Sequence, residues 1–422
     1  MGINPLNHAS QPPMSNSSDP SHPSGALRRL LALASLLLVG ALPLAAAETQ
    51  KPIAGIILTW KQDPTTTMVI DWHEDEPLDT PVLLHRPKGA SEWTRATPQQ
   101  IDFPYSPTRK IYRTELTGLK PGSAYEFRPN AREEAYHFLT MPAKLDRPLR
   151  IVAGGDTAWN ATFVKTNKVV AGLKPDLIIW GGDYAYSDGS PDLLHKELEW
   201  HANVRDHLVD AERRVIPVVA IIGNHEVRSV VAPYYHAVFA FPGEANFGLL
   251  DFGDYLSVWL LDTNHMAKVV GKQTEWLAES LATRAKDPKR ALFPIYHVPA
   301  YPSVRNDEKT TLEIREHWVP LFEKHSVSVA FEHHDHAYKR THPLLAGKPQ
   351  DDPSKGVTYL GDGAWGASVR KIRPLADNPH IAKAEATNHV YFIEMPAEGP
   401  LKFQAIDPTG KVFDEFELPR RR

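Results

Sequence analysis

The chain has 422 residues, 42% of them hydrophobic, and a formal net charge of −4. That is enough length for two or three domains and enough apolar content for a real core, which excludes a disordered chain. The balanced charge gives no global pull toward nucleic acid or anionic lipid. The absence of cysteine excludes disulfides, thiolate metal sites, iron–sulfur clusters and Cys nucleophiles.

Residues 1–47 read as an N-terminal extension and signal peptide. A polar stretch rich in Pro, Ser and Asn leads to Arg28-Arg29, the apolar run Leu30–Leu44, and Ala45-Ala46-Ala47. Charge, an apolar core and small residues at a cleavage point describe a secretory signal cut near Ala47. The run is shorter than the roughly 20 residues of a membrane span. The expectation is a secreted or periplasmic protein with no stable span after cleavage.

Residues 48–142 read as all-β. Apolar and polar residues alternate in Thr67–Trp72, Val82–His85, Lys110–Leu116 and Tyr125–Pro129, and Thr117-Gly118-Leu119-Lys120-Pro121-Gly122 supplies turn residues. Short strands with such corners resemble a fibronectin type III-like β-sandwich. The Pro-flanked stretch from Met141-Pro142 to Pro148 is the predicted boundary. Residues 149–418 then alternate apolar strands with helical stretches, predicted over Phe163–Leu173, Asp192–Ala211, Gln273–Ala285 and Leu312–Lys324. That alternation is the pattern of a layered α/β domain.

Five strand-like runs end in metal-binding residue types. They are Ile151–Gly155 into Asp156, Leu177–Gly182 into Asp183 and Tyr186, Val218–Gly223 into Asn224-His225-Glu226, Leu292–Tyr296 into His297, and Val327–Phe331 into Glu332-His333-His334-Asp335-His336. In open α/β sheets ligands collect at the carboxyl ends of strands, so residues spread over the chain can converge. With no thiolates, imidazole and carboxylate are the metal ligands, and Asn and Tyr are supplements. One carboxylate can bridge two cations about 3.5–4 Å apart that polarise a phosphoryl group. Asp156 and Asp183 each follow a Gly-Gly pair, read as leaving room for an ion beside the chain.

The ordered set Gly-Asp, Gly-Asp-x-x-Tyr, Gly-Asn-His-Glu, His, and His-x-His resembles the calcineurin-like metallophosphoesterase superfamily. Tyr186, three after Asp183, makes it similar to the purple acid phosphatases, with supporting stretches at Phe252–Tyr255, Leu260–Thr263, Gln273–Leu277, His336–Arg340 and Gly356–Leu360. The resemblance implies an α/β (α+β) fold: the β-sandwich, then two mixed sheets flanked by helices. It implies that Asp156, Asp183, Tyr186 and His336 hold Fe(III), and that Asp183, Asn224, His297 and His334 hold Fe(II), Zn or Mn. Asp183, Asn224 and His225 become the catalytic residues, with His225 beside the phosphate. The implied activity is hydrolysis of phosphomonoesters by attack of metal-bound hydroxide. A phosphodiesterase using the same site is the alternative, and an inactive adhesion module the more distant one. The expected partner is a phosphoester substrate, with no nucleic acid.

The sequence departs from that pattern in three places. Thr157 stands where a second Gly is usual, and is expected to crowd or hydrogen-bond the site. His333 replaces a Gly. The loop after His297, Val-Pro-Ala-Tyr-Pro-Ser, has no His to act as general acid, which leaves His225 first and Tyr301 and Glu332 behind it. Glu226 is read as an orienting residue and His333 as structural. His265 is read as a surface residue, with a place near the site as the alternative; His195, His201 and His207, whose spacing of six gives no single helix face, are read as solvated surface. Trp159, Trp180 and Trp365 are read as core, with Trp159 or Trp365 lining the pocket as the alternative.

Overall fold

A computed structural model describes residues 51–132, 134–243, 246–361 and 363–421. The expected signal peptide lies outside the described residues. Among them, no helix is long and apolar enough to cross a membrane.

The first part is a pair of four-stranded antiparallel sheets. One runs in the order Gly55–Thr59, Met68–Glu74, Lys110–Leu116, Gln99–Asp102, and the other Thr94–Ala96, Leu83–Pro87, Ala124–Pro129, Tyr136–Leu139. Ala124–Pro129 alternates between partly exposed and buried positions, as a strand with one covered face must. These sheets share a continuous core with the α/β part of the chain: Trp60 meets Phe252 edge-on at 5.6 Å, and Arg113 donates to the carbonyls of Ala237 and Val238. The described residues from 51 onward pack as one compact unit.

Two mixed sheets carry the rest. The six-stranded sheet is ordered Val218–Ala220, Leu177–Trp180, Leu149–Gly154, Val390–Met395, Leu401–Ile406, Val412–Leu418, and its first three strands are parallel. The seven-stranded sheet is ordered Gly248–Phe252, Leu256–Leu260, Ala291–Ile295, Val329–Glu332, Thr358–Gly361, Tyr338–Thr341, Ile381–Glu385, with four adjacent parallel strands from Leu256–Leu260 to Thr358–Gly361. Leu177–Trp180 is wholly apolar because it is buried along its length. The first three motifs end strands of the six-stranded sheet and the last two end strands of the seven-stranded sheet.

The helices differ from expectation in detail. Ala161–Leu173 starts two residues early because Asn160 caps it, its side chain accepting from the amides of Thr162 and Phe163. It ends at Leu173 as expected, with Lys174 in the left-handed conformation after it. The stretch predicted over Asp192–Ala211 is helical over Leu194–His207. The predicted helix Leu312–Lys324 is two helices, Lys309–His317 and Val319–Lys324. Pro320 has no amide hydrogen, so the helical ladder cannot run through it, and it sits instead in the first turn of the second helix.

His201 is a correction: it is buried, not solvated, with its ring 4.5 Å from that of His73 and 5.6 Å from Phe103. Helix Leu194–His207 packs on strand Gly55–Thr59, which covers this face. Glu197 lies on the same helix, also buried, accepting a 2.5 Å bond from the Ser187 hydroxyl. Burial pushes its carboxyl up to about 7, and Ser187 and Arg109 offset only part of this. The folded state therefore holds a proton that the unfolded state releases near pH 4.5, and stability falls as pH rises from there to about 7. Glu197→Gln is expected to raise the thermal midpoint at pH 8 and leave it nearly unchanged at pH 4.5. An equal shift at both pH values would refute this assignment.

Candidate metal centre

Loops from both sheets are stitched together at the strand ends. The amide of Gly181 donates to Gly154 O, that of Asp156 to Gly182 O, and that of Thr157 to Asp183 O. His333 N donates to His297 O, while the amides of Gly366 and Ala367 donate to Asp156 O. Asp156, Asp183, Tyr186, His334 and His336 all have φ between 55° and 74°. A residue with a β-carbon adopts that region at a cost of roughly 1 kcal/mol or more, so the fold holds strain where its candidate ligands lie.

Two donor sets result, and they share one carboxylate. Asp156, Asp183 and His336 offer ligand atoms within 4.8 Å of one another, as do Asp183, His297 and His334. Tyr186 joins the first set: its hydroxyl is 3.0 Å from Asp156 Oδ1 and 2.9 Å from His336 Nε2. Asn224 directly precedes His225, whose amide donates to Asp183 Oδ1 at 2.8 Å.

The chemistry of these donors fits cations. His297 Nδ1–H donates to Gly181 O at 2.7 Å and His336 Nδ1–H to Ser368 O at 3.0 Å, which turns the Nε2 lone pair of each inward. His297 Nε2 then faces His334 Nδ1 at 3.1 Å. Asn224 Oδ1 and Asp183 Oδ2 are buried without a hydrogen-bond partner, although Asp183 Oδ2 lies 3.1 Å from His297 Nε2. Buried acceptors left unmatched cost about 1–3 kcal/mol each, which a cation would recover.

The electrostatics agree in direction. Burial alone would raise Asp183, but His297, His225 and His334 hold it well below the usual carboxylate range. Burial alone would lower His297, but Asp183 and then Asp156 raise it to about 9. His334 is pushed down to about 2 by burial, with His297 and Arg305 adding to the effect. The Tyr186 phenol is driven far up by burial and by Asp156 and Asp183. It becomes a phenolate only against a strong positive charge.

Around the donors, Glu226 orients the second motif. Its carboxylate accepts from the amides of Gly223, Asp183 and Tyr184 at 2.7–2.8 Å. Burial, then the Asp183 charge, push it up to about 8 against those donors. The His225 ring lies 4.2 Å from that of Tyr186, tilted at 35° to it, and its Nδ1 is bonded to Asp188. Asp188 was not foreseen; its only sequence signal is an acidic residue two positions after Tyr186.

Five expectations are corrected. Thr157 turns away from the donors, and its hydroxyl accepts from Trp200 Nε1 at 3.0 Å. Glu332 is committed to a buried ion pair with Lys339 and to donors from Tyr296 and Ala300, so it is no general acid. Tyr301 lines a separate cleft of about 860 Å³ with Arg315, Arg373 and His380, away from the donor sets. For His265 the alternative near the site holds rather than the surface, since its ring lies 5.7 Å from that of His297; burial pushes it down to about 3.

The fifth correction concerns the glycines. The space beside Gly155 and Gly181 is filled by the His333 ring, not reserved for an ion. A β-carbon at Gly155 would lie 2.8 Å from His333 Nδ1, and one at Gly181 would overlap the ring. Gly182 needs φ +88° and packs against Gly223. Gly363 and Ser368, from the loop after Thr358–Gly361, also touch the site and were missed, because nothing local marks them.

Comparison with known proteins gives the same grouping. Residues 53–140 match the purple acid phosphatase N-terminal domain, and residues 149–338 match the calcineurin-like phosphoesterases. Purple acid phosphatase 15 of Arabidopsis thaliana is 24% identical, over 64% of this chain and 56% of its own. An uncharacterised Mycobacterium tuberculosis protein is 22% identical, over 75% of this chain and 70% of its own. The structure of purple acid phosphatase PPD1 from yellow lupin seeds superposes with a TM-score of 0.73 at 17% identity, covering 86% of this chain and 74% of that one, a likeness of fold.

Proposed function

The chain belongs to the calcineurin-like phosphoesterases that carry a purple acid phosphatase N-terminal domain and is a phosphatase enzyme, and on that premise we propose that it is an exported binuclear enzyme hydrolysing phosphomonoesters. The observation that carries this reading is the pair of donor sets joined at Asp183, with an unmatched buried acceptor on Asn224. Asp156, Asp183, Tyr186 and His336 would hold the first ion, Fe(III), for which a phenolate is a suitably hard anionic ligand. Asp183, Asn224, His297 and His334 would hold the second, Fe(II), Zn or Mn. Two such cations polarise phosphoryl oxygens and lower the pKa of water.

The protein's own groups do the rest. Asn224 and His225 lie beside the shared carboxylate, where charge on the phosphoryl oxygens needs donors. Asp188 fixes the His225 tautomer with the proton on Nδ1. Nε2 is then the ring atom that would take the second proton of the imidazolium and give it to the leaving-group oxygen, leaving the neutral ring with its proton on Nδ1. Export is supported by the Arg28-to-Ala47 segment.

Elemental analysis with assays on p-nitrophenyl phosphate and its bis ester tests the proposal. Two metal ions per chain, one of them iron, and faster turnover of the monoester are expected. Tyr186→Phe should bleach any visible charge-transfer band. A loaded wild-type enzyme with no such band refutes ferric iron, and a preference for the bis ester refutes the monoester assignment.

A further inference from the structure

The loop after His297 carries no histidine, but it delivers Arg305. Arg305 Nη1 donates to the carbonyl of His334 at 2.6 Å, and Arg370 Nη1 reaches the same oxygen at 3.2 Å. Two guanidinium groups therefore meet at the backbone of a candidate ligand. The His334 amide, on the other side, donates to Asp156 Oδ2 at 3.2 Å. The Arg370 backbone is anchored too, its amide donating to His336 O at 3.0 Å.

One carbonyl does not explain two cations. Arg305 has distant acidic company, with Asp335 Oδ1 at 3.9 Å and Glu308 at 4.0 Å. Arg370 has no carboxylate within ion-pair distance among the described residues. Each guanidinium has five N–H donors in a planar fork suited to phosphate, and few of them are used. Like charges this close repel, and Arg370 lowers the pKa of Arg305 after burial has done so. An anion received between them would remove that repulsion. Both side chains remain partly open to solvent, so a ligand can reach them.

We propose that Arg305 and Arg370 form a second anion site at the edge of the metal centre, selecting phosphoesters that carry a further phosphoryl group near the one hydrolysed. The inference rests on the phosphatase reading, because it assumes that the first phosphoryl group lies at the metals. One phosphoryl group then binds the metal donors and the other takes the arginine forks, so the substrate is read by its second charge.

The test is calorimetric and needs no turnover. Metal-loaded wild-type, Arg370→Gln and Arg305→Gln proteins, matched for metal content, are titrated with methylphosphonate and with methylenediphosphonate. The wild-type preference for the diphosphonate is expected to fall about tenfold in each glutamine variant, the effect of losing one charge-assisted contact. Arg370→Lys, which keeps charge but not the fork, should recover part of it and serves if a glutamine variant fails to fold. Equal loss for both ligands, or no loss for either, overturns the proposal. A wild-type enzyme that cleaves no ester yet shows the arginine-dependent preference would sink the phosphatase reading and leave this site standing. Monoester turnover without that preference would do the reverse.

Discussion

Asp183→Asn is expected to lower metal content from two ions per chain to one or fewer and to reduce kcat/KM on p-nitrophenyl phosphate roughly a thousandfold or more. Asp183 belongs to both donor sets, so a single substitution damages both. Asparagine is nearly isosteric and can still accept from the His225 amide, so the fold should survive. What it cannot supply is the negative charge that offsets repulsion between two cations. The loss should also reach His297, which is held at about 9 chiefly by Asp183 against the pull of burial. In the metal-free variant the His297 imidazole should lose its proton at a lower pH, which NMR titration of the ring can follow. Two ions per chain and undiminished turnover in Asp183→Asn would remove Asp183 from the bridging role.

Gly181→Ala is expected to destabilise the protein by about 3 kcal/mol, at the upper end of overpacking costs, because the new methyl group falls inside the His333 ring. His333 cannot swing aside easily, since it is buried and faces Gly155 from the same position. In a His333→Gly background the methyl group has space, and Gly181→Ala should cost less than about 1 kcal/mol. Urea midpoints for the four proteins of this cycle give the coupling energy directly. Additive effects would show that the glycine is needed for its backbone alone. Gly181 has no left-handed φ of its own, unlike Gly182, so backbone strain adds nothing to the cost of its methyl group.

Much of the fold was legible because the signals are local. Runs such as Leu177–Trp180 are apolar throughout because a parallel interior strand is covered on both faces, and the alternation in the first part marks strands with one covered face. Helix ends were less legible. Asn160 extended one helix by capping it, and Pro320 divided another, although both residues were visible in the sequence. A capping bond depends on side-chain direction and a proline's effect on where the helix starts, and neither is fixed by periodicity.

At the site, the sequence by itself determined which residues lie at strand ends. Asp156, Asp183, Tyr186, Asn224, His297, His334 and His336 follow apolar runs, and a parallel α/β sheet carries such ends to one edge. Only the tertiary structure decided what surrounds them. The pairing of His333 with Gly155 and Gly181 joins loops of two sheets, and the burial of His201 depends on a strand more than a hundred residues earlier. Asp188 against His225, and Arg305 with Arg370 on one carbonyl, are likewise contacts between loops. The physical reason is range: hydrophobic periodicity reports how one segment meets the core, whereas charge pairing and steric fit depend on which segments the folded chain brings together.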